Sequence, residues 1–432
     1  MHIYVKQLND KVCFHANHDT RFKNASLTFH YLMPYSEELS SAMALLPAIL
    51  KRGTQNYPTL EAIARQLEAL FGSDIIHFVR KRGTLLEIAF RLEAIDDAYL
   101  LGQEAIWADA IKLLLEIIYS PRLLNDDFPI DILEQEKRAL IDSIVDIYNA
   151  KDSYALMRAA ETVFPHTLFS SKLKGSVDSV SRLTKEELLL AYQYFRNQSI
   201  LHIYYTGNKQ SRSVLKLLRD IPALHTGVLV TPAPYANTIA PQSPVEAEEI
   251  VKAEQSHVVV CYQMPIRQLR AQRNGVMSIY NSILGHSPTS KLYQEVREKS
   301  GLCYSCSLIT HGLFGVFTVE AGVQPGREAE ARARIMEQFD AMRLGLFTDS
   351  ALAVAKESIK NATRSISSSP QQLENHYMSC LLSGTPYELS VIRADVDSVT
   401  REDVVQAAEH LTYAGTFILR GEVTGDVSNQ ED

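Results

Sequence analysis

Apolar residues follow two different periods along this chain, which indicates a mixture of helices and strands. Between Leu60 and Phe71 they recur at helical spacing, and Gly72 stands where a helix would end. The stretch GTLLEIAFRL, after Arg82, instead alternates as a half-buried strand does. Because long helical stretches follow long β stretches, the pattern predicts an α+β fold with antiparallel sheets.

The same order of elements recurs in the second half of the chain. A helical stripe with Leu292 and Val296 stops at Gly301, and the strand-like segment GLFGVFTVEAGV follows. The segment VDSVSRLTKEELLLAYQYF begins at residue 177, and VDSVTREDVVQAAEHLTYA begins at residue 396, 219 residues later (396 − 177). At the same offset Lys137 corresponds to Lys356. A fixed offset across separate motifs predicts two homologous modules, one fold used twice.

Each repeated segment carries the same helix-start signal. Thr184 precedes Lys185-Glu186-Glu187, and Thr400 precedes Arg401-Glu402-Asp403. A hydroxyl at this position caps free backbone N–H groups, and acidic residues in the first turn complement the helix dipole. An apolar strand is predicted after each helix, around residues 200–205 and 417–419.

A proline-rich stretch separates the two modules. Residues 226–245 contain four prolines and few large apolar side chains, as is typical of a linker. The sequence therefore predicts an N-terminal module over residues 1–225 and a C-terminal module over 246–432. The second module is expected to begin with the apolar strand Val258 to Tyr262.

Charge and composition exclude several classes of protein. The net charge of −8 lacks the basic excess of a nucleic-acid-binding domain, and the group Arg80-Lys81-Arg82 is interpreted as an isolated, solvated surface cluster. No run reaches the ~18 apolar residues that a membrane span needs, and the first ten residues lack a secretory signal.

Cysteine and histidine positions give no metal site at this stage. Five cysteines without a paired framework favour a reducing cytoplasm. The one close pair, Cys303 and Cys306, is interpreted as part of a half-buried strand. His15 and His18, in the turn-like stretch HANHD, are interpreted as surface-loop residues, and His286 as loop variation in a glycine-containing turn.

The stretch LGHSPTSKLYQEVREKSGLCYSCSL, residues 284–308, carries a family resemblance. It resembles the C-terminal motif of the M16 family, the insulinase and mitochondrial-processing-peptidase-like proteins, with Arg297 and Tyr304 seven residues apart as in that motif. With the duplication, the resemblance covers nearly the whole chain and implies the LuxS/MPP-like metallohydrolase fold. It also implies that Arg297 and Tyr304 bind the substrate backbone and stabilise the oxyanion opposite a zinc ion.

The zinc motif that the resemblance implies is missing. Active M16 members carry His-x-x-Glu-His before Phe-x-Gly-Thr; here Gly53-Thr54 remain, and Ala44, Pro47 and Ala48 occupy the three positions. The third ligand, a glutamate seven residues after that of a Glu-Lys pair, is replaced by Ser143 after Glu136-Lys137. Neither alanine nor proline can bind zinc or activate water, so no metal is expected there, and no hydrolysis by this chain alone.

Three functions stay open from the sequence. In the first, the chain is a non-catalytic subunit that supplies Arg297 and Tyr304 to a zinc-bearing M16 paralogue in a heterodimer acting on a peptide, with zinc on the partner. In the second, it is an inactive M16-derived scaffold or peptide-binding protein. In the third it is a hydrolase of another mechanism, although no G-x-S-x-G elbow occurs. The resemblance to bacterial M16-like proteins without the zinc motif also implies a link to elongation factor P modification, to which no residue points.

Overall fold

The computed structural model describes residues 3–100, 105–218, 235, 241, 243–272 and 274–422. Its strands are β1 (Ile3–Asn9), β2 (Val12–His18), β3 (Asn24–Pro34), β4 (Asp74–Arg82), β5 (Leu85–Ile95), β6 (Ile200–Gly207), β7 (Val245–Lys252), β8 (Ser256–Gln263), β9 (Cys303–His311), β10 (Val316–Val323) and β11 (Thr412–Glu422). The expectation of two modules, each a sheet packed with helices, is confirmed.

The helices account for most of the remaining described chain. They are α1 (Ser40–Leu50), α2 (Leu60–Ala69), α3 (Ile106–Tyr119), α4 (Ile130–Asn149), α5 (Lys151–Val163), α6 (Val177–Arg182), α7 (Lys185–Gln198), α8 (Ser211–Leu217), α9 (Ile266–Ala271), α10 (Asn274–Leu284), α11 (Glu328–Arg343), α12 (Asp349–Ile366), α13 (Pro370–Ser383), α14 (Leu389–Ser398) and α15 (Arg401–Glu409). A 3₁₀ turn covers Asp97–Tyr99 and a π-helix covers Leu292–Glu298. No helix in the described ranges is long and apolar enough to cross a membrane.

The first compact unit is built on a six-stranded sheet in the order β1-β2-β6-β3-β5-β4. One face of this sheet is apolar, with Phe14 on β2, Phe29 on β3 and Phe90 on β5, and it forms one core with α1, α3 and α7. Strands β2 and β6 run parallel, while the other neighbours are antiparallel. The sheet is therefore mixed rather than purely antiparallel, because helices intervene before β6 returns beside β2.

The second compact unit repeats this plan with five strands in the order β7-β11-β8-β10-β9. Its main core lies between β8, β10 and the helices α10, α11 and α15. Again one pair, β7 with β11, is parallel. Strand β7 precedes the apolar strand that was expected to begin the module; its alternating half-exposed pattern VEAEEIVK belongs to an edge strand.

Each compact unit includes one helix from the other half of the chain. Unit 1 contains residues 366–382, which include most of α13, and unit 2 contains residues 146–171, which include α5. The two helices begin at residues 151 and 370, separated by the same offset of 219 (370 − 151) that the sequence motifs show. They are therefore equivalent helices of the two repeats.

The predicted helix starts are observed as capping boxes. The hydroxyls of Thr184 and Thr400 accept hydrogen bonds from the backbone N–H groups of Glu187 and Asp403, whose carboxylates accept from the threonine N–H groups in return. The predicted strands after them are β6 and β11. Most of the proline-rich stretch lies outside the described residues, so the linker over 226–245 stays a prediction.

Candidate functional site

The four positions expected to have lost zinc ligands lie on α1 and α4 of unit 1. Ala44 and Ala48 are half-buried, and Pro47 is buried inside the helix. Ser143 is half-buried on α4, where its hydroxyl donates to the carbonyl of Leu140 at 2.7 Å. These side chains supply one neutral hydroxyl among four positions, so they do not fit a zinc ion.

Two cationic side chains lie close to the positions where zinc ligands were sought. The Lys174 ammonium donates to the Ser143 hydroxyl at 3.1 Å, next to the ligand position that a glutamate would fill. Arg52, just after α1, forms an ion pair with Glu136 on α4 at 2.5 Å. An ammonium held beside Ser143 opposes the binding of a cation at this position.

The surviving Gly53-Thr54 dipeptide has a structural role. A Cβ added to Gly53 would lie 2.7 Å from the backbone oxygen of Pro58, which is closer than real contacts allow. Thr54 is fully buried, and its hydroxyl accepts a hydrogen bond from the Tyr57 N–H at 2.9 Å. The turn after α1 therefore needs these residues whether or not a metal is bound.

Arg297 and Tyr304 lie on adjoining elements of unit 2. Arg297 is in the π-helix and stacks on the Tyr293 ring, 4.7 Å from its centroid. Its ion pair with Glu298 is long, 3.8 Å, and its side chain is 41% exposed. Tyr304, on β9, is 58% exposed, and its hydroxyl accepts a weak 3.5 Å hydrogen bond from Gln324. An aromatic side chain so exposed is not a packing residue, and a π-helix is an unusual element that often accompanies function.

A β-bulge at Tyr304 also positions the two neighbouring cysteines. In the pairing of β9 with β10, Cys306 lies opposite Ala321 and Cys303 opposite Val323, with Tyr304 as the extra residue. Because Ala321 and Val323 share a face, the bulge brings both thiols to the core side. A hydrogen bond from Cys306 lowers the pKa of the Cys303 thiol. None of the five cysteines is in a disulfide.

Two sequence interpretations are wrong at the sheet of unit 1. His15 and His18 lie on β2, not in a turn, and His15 is 1% exposed. The group Arg80-Lys81-Arg82 is half-buried on β4: Arg80 stacks on Phe78, Arg82 pairs with buried Glu87, and burial lowers the pKa of Lys81 to about 8. In both cases cover by distant parts of the chain changes the environment.

Sequence reasoning missed a buried polar network on the face of this sheet opposite α1. Its centre is Glu374 of α13, fully buried, whose carboxylate accepts from Arg91 at 2.8 Å and from Thr28 at 2.8 Å. His30 lies 3.2 Å from the same carboxylate and 2.7 Å from Glu87. The available signal was the run of polar residues at alternate positions of β2, β3 and β6.

Comparison with known proteins agrees with this architecture. The sequence profile described as the peptidase M16 inactive domain matches residues 182–359. Over these residues the chain is similar to the M16 family, and its sequence lacks the His-x-x-Glu-His motif of the active members. It is 26% identical over 423 residues to the probable inactive metalloprotease YmfF of Bacillus subtilis, covering 97% of this chain and 98% of that protein.

Two solved structures share the fold. A conserved protein from Enterococcus faecalis superposes with a TM-score of 0.89 at 22% identity, covering 98% of this chain and all of the other. A peptidase M16 inactive domain from Pseudomonas fluorescens superposes with a TM-score of 0.80 at 15% identity, over 98% and 99% of the two chains. At these identities the likeness concerns the fold.

Proposed function

We propose that this chain is the non-catalytic subunit of a two-chain M16-type zinc peptidase, and that it supplies Arg297 and Tyr304 to a zinc-bearing paralogue. The observation that carries the proposal is that both side chains are exposed in unit 2 and that neither contributes to a hydrophobic core. An inactive homologue with no zinc ligands needs the metal and the water-activating glutamate from another chain. The guanidinium and the phenol remain hydrogen-bond donors near neutral pH.

In this proposal the two donors face negative charge that develops on the scissile carbonyl. Such preorganised donors contribute about 3 kcal/mol each to transition-state stabilisation. The peptide would add as a strand to a sheet edge; β9, which carries Tyr304, is the outer strand of its sheet. Main-chain hydrogen bonds would then give affinity with little sequence preference. We place the pair in the cytoplasm, which is supported by the absence of disulfides among the five cysteines.

The second candidate is a scaffold or peptide-binding protein that has no part in hydrolysis, with or without the link to elongation factor P modification. The long 3.8 Å ion pair of Arg297 with Glu298 and its stacking on Tyr293 are the contacts that a structural role would use. Tyr304 has no comparable packing role. The two candidates therefore differ in what removal of the Tyr304 hydroxyl does.

The test combines this chain with the zinc-motif M16 paralogue of the same genome. We would measure complex size, bound zinc and cleavage of an unstructured peptide library. The subunit proposal predicts that the mixture cleaves the peptides and that neither chain does so by itself. Arg297→Ala and Tyr304→Phe are each expected to reduce the kcat of the mixture at least about 100-fold while the complex still forms. Arg334→Ala is the matched control, because Arg334 is also a half-exposed arginine of unit 2, paired with Glu337.

Either of two outcomes would replace the proposal. If the mixture forms a complex and cleaves equally well with Tyr304→Phe and Arg297→Ala, the pair has no catalytic part and the scaffold function stands. If no mixture forms a complex or cleaves, the proposed heterodimer is wrong.

A further inference from the structure

The two repeats differ in the polarity of one sheet face. In unit 2, α5 covers the second sheet face with an apolar core that includes Ala159, Val259 and Phe417. In unit 1 the equivalent helix, α13, covers a sheet face that carries polar side chains such as His15 and Thr28, and it buries its own Glu374 against them. The fold itself is thus stable with an apolar face here.

Buried polar groups are costly, and apolar replacements of similar volume often stabilise a protein. The duplicated module shows that such replacements suit this architecture. The polar face of unit 1 therefore points to a role other than folding, and a group of metal-binding residue types lies within it.

Three side chains at one side of this face bring their donor atoms together. The parallel pairing of β2 and β6 sets Cys13 opposite His202, and His15 follows two residues later on the same face of β2. The Cys13 sulfur and one nitrogen from each histidine all lie within 4.8 Å of one another. His15 Nε2 and His202 Nδ1 are 2.9 Å apart. Cys13 and His15 are buried, and His202 is half-buried.

We propose that Cys13, His15 and His202 bind one divalent transition-metal ion of the zinc class. A tetrahedral ion with nitrogen ligands at about 2.05 Å needs about 3.3 Å between two nitrogens, so the two rings must separate by only a few tenths of an ångström. Thiolate and imidazole together are the ligand set that selects zinc and related ions over magnesium or calcium. Metal binding exchanges the thiol S–H bond for a metal–sulfur bond and releases that proton to solvent.

The surroundings resemble the second shell of a metal site. The Tyr377 hydroxyl lies 2.8 Å from Nδ1 of His15 and fixes the ring so that Nε2 faces the cluster. In its neutral form each imidazole ring keeps one nitrogen lone pair that can bind a metal ion.

The charged groups around the cluster leave room for an added cation. His30 is paired opposite His202, and its positive form would oppose an ion. It is compensated by the carboxylates of Glu87 and Glu374; Arg82 pairs with Glu87, and Arg91 pairs with Glu374 and with Glu93, so three cations are balanced by three carboxylates. The cluster lies on the sheet face opposite α1, so it is separate from the degenerate zinc position and does not depend on the proposed subunit function.

The test uses the full chain, freed of metal with a chelator and then titrated with Co²⁺ or Zn²⁺ alone. We expect about one equivalent of zinc to be retained after gel filtration. With Co²⁺ we expect a thiolate-to-cobalt charge-transfer band in the near ultraviolet. Cys13→Ser is expected to abolish the band, and His202→Gln to weaken metal retention at least about 10-fold.

Cys380→Ser is the matched control, because Cys380 is another buried thiol of unit 1, 3.8 Å from a histidine nitrogen of His376. Fluorescence of Trp107, the single tryptophan, shows whether each variant keeps unit 1 folded. The proposal is overturned if the wild-type chain retains no metal, or if folded Cys13→Ser and His202→Gln both retain as much as wild type. Loss of the band in Cys380→Ser but not in Cys13→Ser overturns it as well. If Cys13→Ser fails to fold, His202→Gln alone decides by the same criterion.

Discussion

Replacing Glu374 with glutamine tests whether the buried network holds α13 in unit 1. The carboxylate is fully buried and interacts with Arg91, Thr28 and His30 at 2.8, 2.8 and 3.2 Å. Glutamine keeps the shape and the hydrogen bond to Thr28 but removes the charge. His30 then keeps only Glu87, which it shares with Arg82, and Arg91 keeps only its long 3.9 Å ion pair with Glu93.

Removing one partner of a buried ion pair costs about 3–5 kcal/mol. Because Glu87 still compensates His30, we expect Glu374→Gln to lower the free energy of unfolding of unit 1 by about 3 kcal/mol, near the lower end of that range. The assay is urea unfolding followed by fluorescence of Trp107, which is buried in unit 1 and donates to the carbonyl of Ile95 at 3.0 Å. This signal reports on unit 1 even if the two units unfold separately.

The effect has a defined dependence on pH. Burial alone would raise the pKa of Glu374, but His30 and Arg91 outweigh it and hold the pKa below its usual value. A carboxylate with a lowered folded-state pKa stabilises the protein above its unfolded pKa, near 4.3, and loses this contribution as pH falls through the folded-state pKa. The difference between wild type and Glu374→Gln is therefore expected to be full at pH 7 and smaller in acid.

Glu68→Gln is the matched control, since Glu68 is an exposed glutamate on α2 of the same unit. It is expected to change the free energy of unfolding by no more than about 0.5 kcal/mol. If Glu374→Gln lowers the free energy of unfolding no more than this control at pH 7, the network does not stabilise unit 1.

Three other perturbations test separate parts of the structure. Thr184→Ala removes a capping box and is expected to lower the free energy of unfolding of unit 1 by about 1 kcal/mol in the Trp107 assay. The equivalent Thr400→Ala, in unit 2, is expected to show its loss of stability by circular dichroism. An unchanged free energy of unfolding in Thr184→Ala would contradict the observed cap. Gly53→Ala places a Cβ 2.7 Å from the Pro58 oxygen and is expected to lower the free energy of unfolding by about 1–3 kcal/mol. Gly312→Ala is the control, because a Cβ there would have nothing within 4 Å. Equal melting temperatures of the two variants would show that the turn rearranges to accept the Cβ. Burial acts to raise the pKa of Glu87, but the hydrogen bond to His30 and the charges of His30 and Arg82 lower it to about 2. Ionised Glu87 therefore contributes about 3 kcal/mol to the free energy of unfolding, and this contribution is expected to disappear as pH falls from about 5 to about 2. In the same pH series the free energy of unfolding of Glu87→Gln is expected to decrease less steeply with falling pH than that of wild type. Identical slopes for the two proteins would exclude this role of Glu87.

The sequence by itself determined the duplicated plan and the loss of the zinc motif. Caps such as Thr184 and Thr400 act within one helical turn, so spacing along the chain is enough to place them. Periodicity also predicted β5, β6, β8 and β10, because alternation in a strand reflects burial of one face. The absence of ligands at Ala44, Pro47, Ala48 and Ser143 needs no coordinates, since the residue types cannot bind zinc.

Only the tertiary structure decided which polar residues are buried. His15 lies on β2 beside β6, whose His202 is 187 residues away, and it is covered by Tyr377 from 362 residues away. No local pattern specifies such pairings, so the stretch HANHD has the composition of a turn although its first four residues, His15 to His18, lie in β2. The bulge at Tyr304 and the assignment of α5 and α13 to the opposite unit are decided in the same way. Local periodicity fixes which face of an element is apolar, whereas the partner that covers the other face is selected by packing between residues far apart in the chain.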